Sequence, residues 1–183
     1  MPSGMGANFI ASPAGGFEPT RTFNWLFEAH LPSFDDQELI ALSLETGFVP
    51  DESNEEIEVF YMNERVYVAG KALYNQGTLS LKDWVDRDTY GAIYRWRRLT
   101  YNPDTGQIGY ARDYKLNARM LLLGPDGTNI KSWLMWGTWV QSVNQVPLDM
   151  AASDIVKVEC VLRYDKAYPE FIGDQGVNVL GIL

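Results

Sequence analysis

The sequence predicts a mainly β protein: an antiparallel barrel or sandwich with one flanking α-helix and a long acidic loop. Three observations carry that prediction. Several short segments alternate apolar and polar residues with the period of a strand. One segment alone repeats its apolar residues with the period of a helix. Aromatic residues make up 13 % of the chain, with six Trp and ten Tyr, a load that suits strand faces and subunit contacts because large rings bury area while keeping a polar edge. The 183 residues, 46 % of them hydrophobic, are enough for one domain with a single core, on the usual range of roughly 100–200 residues per domain.

Residues 1–20 are rich in Gly, Pro and Ser and read as a flexible arm. The β domain spans 21–170, and 171–183 form a C-terminal tail. In the first strand, Phe23, Trp25, Phe27, Ala29 and Leu31 alternate onto one face, with Asn24, Glu28 and His30 on the other. Glu38 to Val49 reads as a strand plus a connection. Pro50 to Glu56 is too charged to bury and reads as an exposed loop. Ile57 to Ala69, bearing Val59, Tyr61, Val66 and Val68, is strand-turn-strand or one long bent strand, and Thr78 to Trp84 alternates as a short strand.

The helix is predicted from about Asp86 to Tyr101, capped by Asp86 or Asp88 and stopped by Asn102-Pro103. At 100° per residue, Ala92, Ile93, Trp96 and Leu99 share the face that packs on the sheet. Tyr90, Tyr94, Arg97 and Tyr101 share a second face, and Arg95 and Arg98 a third. Strands at Lys115–Leu123 and Ile130–Val140 flank the turn Gly124-Pro125-Asp126-Gly127. The last predicted strand is Ile155–Tyr164, with Val156, Val158, Cys160, Leu162 and Tyr164 on its apolar face.

The chemistry of catalysis is sparse. One cysteine, Cys160, precludes an internal disulfide and any cysteine-based zinc site, and it falls on an apolar strand face. One histidine, His30, falls on a polar strand face, where a solvated or hydrogen-bonded residue is the expectation. There is no Gly-x-Ser-x-Gly elbow, Walker loop or dinucleotide-binding glycine pattern, and Asp51 to Glu56 lacks the central Gly of a calcium loop. The reading is a non-enzyme with no cofactor and no metal. Neither an export signal nor an apolar run of ~18 residues is present, which predicts a cytoplasmic origin and no membrane anchor. A formal charge of −9 argues against a general nucleic-acid binder, since phosphate contacts need clustered Lys and Arg.

The charge is also segregated. Residues 35–64 hold ten acids and no Lys or Arg before Arg65, whereas 86–119 hold seven basic residues against four acids. Such segments either remain solvated, pair within one chain, or meet between copies in head-to-tail contact.

With the strands placed, the chain resembles the tail tube proteins of contractile-tailed phages. The resemblance lies in Met62-Asn63-Glu64-Arg65-Val66-Tyr67-Val68-Ala69-Gly70, in Gly77 to Leu81 with Trp96 in the helix after it, and in the run from Trp133 through Gly137, Trp139 and Leu148-Asp149 to Val161–Asp165. It covers roughly residues 21–168. The resemblance implies hexameric rings whose inner sheets join into one barrel, stacked into a hollow conduit for DNA within a sheath, on a baseplate or tube initiator. It implies a virion component assembled in the host bacterial cytoplasm. A long loop that reaches the next ring would fall near Leu42–Glu58. The inter-subunit residues would then be Glu45, Asp51, Glu52, Glu55 and Glu56 against Arg95, Arg97 and Arg98. Glu28 and Glu159 are candidates to line an acidic lumen, or equally to face the sheath. DNA would pass such a wall without specific binding. The rival readings are the tube protein of a type VI secretion-like machine and, from another class, a monomeric ligand-binding β-barrel.

Overall fold

A computed structural model describes residues 19–151 and 153–171. The predicted arm and tail therefore lie outside the described residues, except for Pro19, Thr20 and Phe171. One antiparallel sheet organises the rest. Its strands are β1 (Trp25–Ala29), β2 (Leu44–Thr46), β5 (Gly77–Lys82), β8 (Leu116–Leu123), β9 (Asn129–Gln145), β10 (Lys157–Arg163) and β11 (Lys166–Phe171). The spatial order is β1-β8-β9-β10-β5-β2, with β11 also paired to β9.

The 17 residues of β9 serve two halves of this sheet. Its first half pairs with β8 and β11, and its second half pairs with β10. The change of partner falls at Gly137, whose φ is +65°. Trp136 is the last residue opposite β11 and Trp139 the first opposite β10. A bulge of this kind bends a strand and increases its twist, curling a flat sheet into a half-barrel. Any side chain at 137 would strike the Asp165 carboxylate, which is itself held at 2.7 Å by Lys115 Nζ.

The concave face holds the core: Phe27, Ala29, Leu79, Leu81, Ala118, Met120, Met135, Val140, Val158, Cys160 and Leu162 are all buried. The alternation predicted for β1 and β10 is thus present, although Phe23 lies outside β1 and is 73 % exposed. The predicted helix is α2 (Thr89–Thr100), named after α1, which is Phe34–Ser43. Asp88 caps α2, accepting from the Gly91 N–H at 2.7 Å. Its Ala92, Ile93 and Trp96 are buried against the sheet. At about 1.5–3 kcal/mol for each large apolar side chain buried, that face is what anchors the helix.

Three predictions need correction. Glu38–Val49 is not a strand with a connection. It contains most of α1, then the three-residue β2, then a connector. Ser33 caps α1 by accepting from the Asp36 N–H at 3.4 Å, Asp35 and Asp36 occupy the first turn, and Leu39 and Ile40 are buried. Two helices therefore flank the sheet, with a single turn, α3 (Ala111–Tyr114), besides. Second, the acidic segment is not a loop. Glu52–Tyr61 is β3, and it pairs with β4 (Glu64–Tyr74) as a long hairpin separate from the main sheet. Third, Ile155–Tyr164 is not the last strand, because β11 comes after it. A further two-stranded ribbon joins β6 (Tyr101–Asn102) to β7 (Gln107–Ile108).

Candidate assembly interface

The hairpin is the most unusual surface of the molecule. Every residue of β3 is exposed, as is every residue of β4 except Gly70 and Tyr74. The register places Ile57 opposite Val68 and Val59 opposite Val66. These four and Tyr61 therefore lie on one face, with Glu64 opposite Tyr61 at its turn end, since residues two apart in a strand share a side. The five apolar residues remain 46–66 % exposed. The other face carries Glu56, Glu58, Phe60, Arg65, Tyr67 and Ala69. It holds an ion pair, Arg65 to Glu58 at 3.1 Å, and the Arg65 guanidinium over the Phe60 ring at 5.5 Å. A two-stranded ribbon has no core of its own and is marginal in water, so an apolar face of this size calls for a partner surface.

The hairpin is nonetheless firmly shaped. Met62 turns it with φ +52°, the one positive-φ non-glycine among the described residues. At its base Asn75 donates to Asp51 at 2.9 Å and Tyr74 to Glu52 at 3.3 Å. Burial and then the nearby Glu52 carboxylate raise the Tyr74 phenol above its ordinary pKa.

The sequence-derived interface residues divide into two groups. Glu45 is on β2, not on the hairpin, and pairs with Lys157 of its own chain at 3.1 Å. Asp51 and Glu52 hold the hairpin base. Arg95 grips Asp36 of α1 through two hydrogen bonds, so the acidic and basic segments do meet within one chain. Arg98 pairs with Asp104 at 2.7 Å and lies over the Tyr94 ring. Glu55, at a bulge, Glu56 and Arg97 have no ion pair among the described residues. Arg97 lines a groove of about 350 Å³ between α2 and β9, with Tyr90, Tyr94, Arg98, Tyr101 and Gln141. Tyr90 and Tyr94 are stacked there at 5.7 Å, and the buried Arg98 Nη1 faces no acceptor.

Glu28 and Glu159 share the convex face of the sheet, the side away from the core. Glu28 stands opposite Arg119, and Glu159 stands between Ser80 and Asn144. Strand alternation puts Glu170 on the same face, but also Lys82, Arg119, Arg163 and Lys166. This face is mixed in charge, not acidic.

The remaining reactive groups are engaged or shielded. His30 is exposed, its Nδ1 3.2 Å from the Asn117 carbonyl. Cys160 is buried, and burial pushes its thiol up to about 12. No group of three or more His, Cys, Asp or Glu is placed to hold a metal among the described residues. None of their helices is long and apolar enough to cross a membrane. The sequence could have revealed the hairpin's apolar face. Ile57, Val59 and Tyr61, then Val66 and Val68, alternate about Met62-Asn63, but alternation alone does not tell a core-facing side from a partner-facing one.

The fold is shared with tube components of contractile injection systems. The chain is similar to the tube-terminating cap of the anti-feeding prophage, with a TM-score of 0.66 at 16 % identity, covering 88 % of this chain and 99 % of that one. It is equally similar to the extended sheath–tube complex of the extracellular contractile injection system PVC, with a TM-score of 0.65 at 14 % identity, covering 93 % of this chain and all of that one. In sequence it is similar to the tail tube protein of Serratia phage KSP90, 26 % identical over 170 residues spanning 85 % of this chain and 90 % of that protein. The tail-tube resemblance seen in the motifs is borne out by this relative and by the fold. No family model matches the chain.

Proposed function

We propose that this chain is the structural subunit of a contractile phage tail tube, closing into hexameric rings that stack into a conduit for DNA delivery. The observation that carries the reading is the unpartnered apolar face of the β3–β4 hairpin, an element that protrudes from a complete core and is explained by a second copy of the same subunit. The similarity to a phage tail tube protein over most of both chains supports the phage setting. A sheath outside and a baseplate at one end are the partners this architecture calls for.

Within that reading, Glu55 and Glu56 of one copy meet Arg97 and the tyrosine-lined groove of another. Asp51, Glu52, Arg95 and Arg98 act indirectly, by fixing the hairpin base and the groove wall, and Glu45 secures β2 to β10. Among the described residues nothing forms a catalytic constellation, and the role is mechanical. A monomeric ligand-binding barrel needs an open apolar interior. Here that interior is filled, with Leu79, Leu81, Ile93, Met135, Val140 and Leu162 completely buried. A secretion-type tube shares the fold, and nucleic-acid release from purified particles distinguishes it.

The test is electron microscopy of the purified protein beside a Val59→Asp, Val66→Asp variant. These residues face each other across the hairpin and lie outside the core, so the variant should fold. Rings or tubes from the parent and monomers from the variant are the expected result. Tubes formed equally by both would remove the hairpin from the assembly.

A further inference from the structure

Strands β1, β8, the first half of β9 and β11 lie side by side, each antiparallel to its neighbour. β1 and β11 are the outer strands of this set, and among the described residues neither pairs with a strand on its far side. The groups that β1 leaves open can be named. The His30 N–H donates to the Asn117 carbonyl and the Leu123 N–H donates to the Asn24 carbonyl, so the even-numbered residues of β1 are the ones bonded to β8. Antiparallel ladders alternate, and Trp25, Phe27 and Ala29 therefore turn their N–H and C=O groups to the open side. On β11, Pro169 stands opposite Trp133. A proline is accommodated on an edge strand where its nitrogen faces away from the sheet, so Ala167 and Pro169 present the open side of β11. Edges of this kind are templates for pairing with another chain. β2, at the other end of the sheet, has only three residues, a length that itself discourages such pairing.

We infer that, within the ring assembly proposed above and resting on it, β11 of one copy pairs edge to edge with β1 of the next, in the register that sets Lys166 opposite Glu28. Charge selects this alignment. On the convex face of these four strands Arg119 and Glu170 pair with each other at 3.6 Å. Glu28 on one edge and Lys166 on the other have opposite signs and no ion pair among the described residues. Direction agrees as well. β1 and β11 run in opposite directions within one chain, so a copy rotated about a ring axis meets its neighbour in antiparallel pairing, and the same contact repeats around the ring. The alignment sets Tyr168 opposite Leu26 on the convex face. On the core face it sets Pro169 opposite Trp25 and Ala167 opposite Phe27, the last two buried already within their own chain. Phe27 and Ala167 then exchange N–H to C=O bonds, and the Trp25 N–H donates to the Pro169 carbonyl. A slip of one residue would put core-facing side chains beside convex ones. A slip of two would set Glu28 against Tyr168, or carry it past the start of β11 to Tyr164.

Paired cysteines test the alignment. Within one chain, Glu28 and Lys166 are separated by β8 and β9, about 14 Å at ~4.8 Å per strand. A disulfide needs Cα atoms within about 7 Å, so in a Glu28→Cys, Lys166→Cys variant it can form only between copies. The native Cys160 is buried and does not compete. The full-length variant is assembled under reducing conditions, inspected by electron microscopy beside the parent, then oxidised and run on a denaturing gel without reductant. A ladder of covalent oligomers ending at the ring size is expected. A Glu28→Cys, Tyr168→Cys variant should crosslink about tenfold less, because that pair is a diagonal neighbour. Charge exchange gives a second measurement. Glu28→Lys or Lys166→Glu alone should slow assembly about threefold or more, and the two combined should restore it, since like charges directly opposite are destabilising. If the cysteine variant does not assemble, the charge exchange decides. Parent rings with neither a 28–166 crosslink nor charge rescue would overturn the edge assignment and leave the tube reading standing. A stronger crosslink at 28–168 would overturn the register in the same way. Monomers from the parent at every concentration would remove the tube reading, and this inference with it.

Discussion

Gly137 shows how much of the fold can depend on one residue. Its φ of +65° is costly for an L side chain, and a Cβ there would meet the Asp165 carboxylate. The backbone around it is fixed from both sides. The Asp165 N–H donates to the Trp136 carbonyl at 2.9 Å, and Lys115 holds the Asp165 carboxylate. Gly137→Ala should therefore cost about 1–3 kcal/mol in urea unfolding; a change within experimental error would show that the bend is not tightly determined. Cys160 makes a different prediction. With its thiol pushed up to about 12 by burial, it stays protonated and inaccessible near neutral pH. A maleimide or iodoacetamide reagent at pH 8 should leave it unlabelled in the native protein and label it fully in denaturant. Rapid labelling without denaturant would mean that β10 opens locally. By linkage, the raised pKa contributes stability that is intact below the ordinary thiol value of 9.0 and is lost as pH rises through about 12.

Among the elements, the hairpin should behave unlike everything around it. β3 and β4 pair only with each other, whereas β5 and β10 lie inside the main sheet with Leu79, Leu81, Val158, Cys160 and Leu162 fully buried. Local opening is easiest where few apolar contacts oppose it. In the unassembled subunit, amides of residues 52–74 should exchange many times faster than those of β10. On assembly they should slow toward the rate of the core; equal rates before and after would argue that the hairpin stays free.

The same elements show what was legible in the sequence. Residues with an unbroken two-residue or 3.6-residue period declared themselves: Phe27 and Ala29 in β1, Val158 to Leu162 in β10, and Ala92, Ile93 and Trp96 in α2. Helix α1 did not, because Leu39, Ile40, Ala41 and Leu42 are a continuous apolar run and Phe34 and Leu42 point outward, 74 % and 61 % exposed. Its specification is tertiary. Ser43 at its end bonds to Thr89 at the start of α2 and accepts from the Trp84 indole. β11 was hidden by Pro169, a residue tolerated on this outer strand but a breaker in local pattern. For the proposed interface, charge is legible in the sequence but pairing is not. Counting acids and bases identified the segments, yet only the folded chain shows that Asp36 holds Arg95 and Asp104 holds Arg98, leaving Arg97 available to a partner.

For the whole molecule, these pairings decide how assembly should respond to salt and to charge reversal. Of the three helix arginines, two complete ion pairs in their own chain, so in the proposed assembly Arg97 and the hairpin's Glu55 and Glu56 are the charges left to attract one another between copies. Exposed pairs of this kind are each worth about 0–1 kcal/mol and are screened over ~10 Å at 0.1 M salt. In the proposed assembly their main effect is on register and on the encounter of subunits, and the affinity is assigned to the apolar hairpin face. Arg97→Glu should thus slow tube growth strongly at low ionic strength and only slightly at about 0.5 M NaCl. Combining it with Glu55→Arg and Glu56→Arg should restore growth, since the attraction is then merely inverted. Light scattering after mixing, with microscopy of the products, reads both effects. Rescue would place the two surfaces in contact between copies. If the triple variant instead assembles more slowly than Arg97→Glu alone, the hairpin acids face something other than α2, and the convex face with Arg119, Arg163 and Lys166 becomes the next surface to reverse.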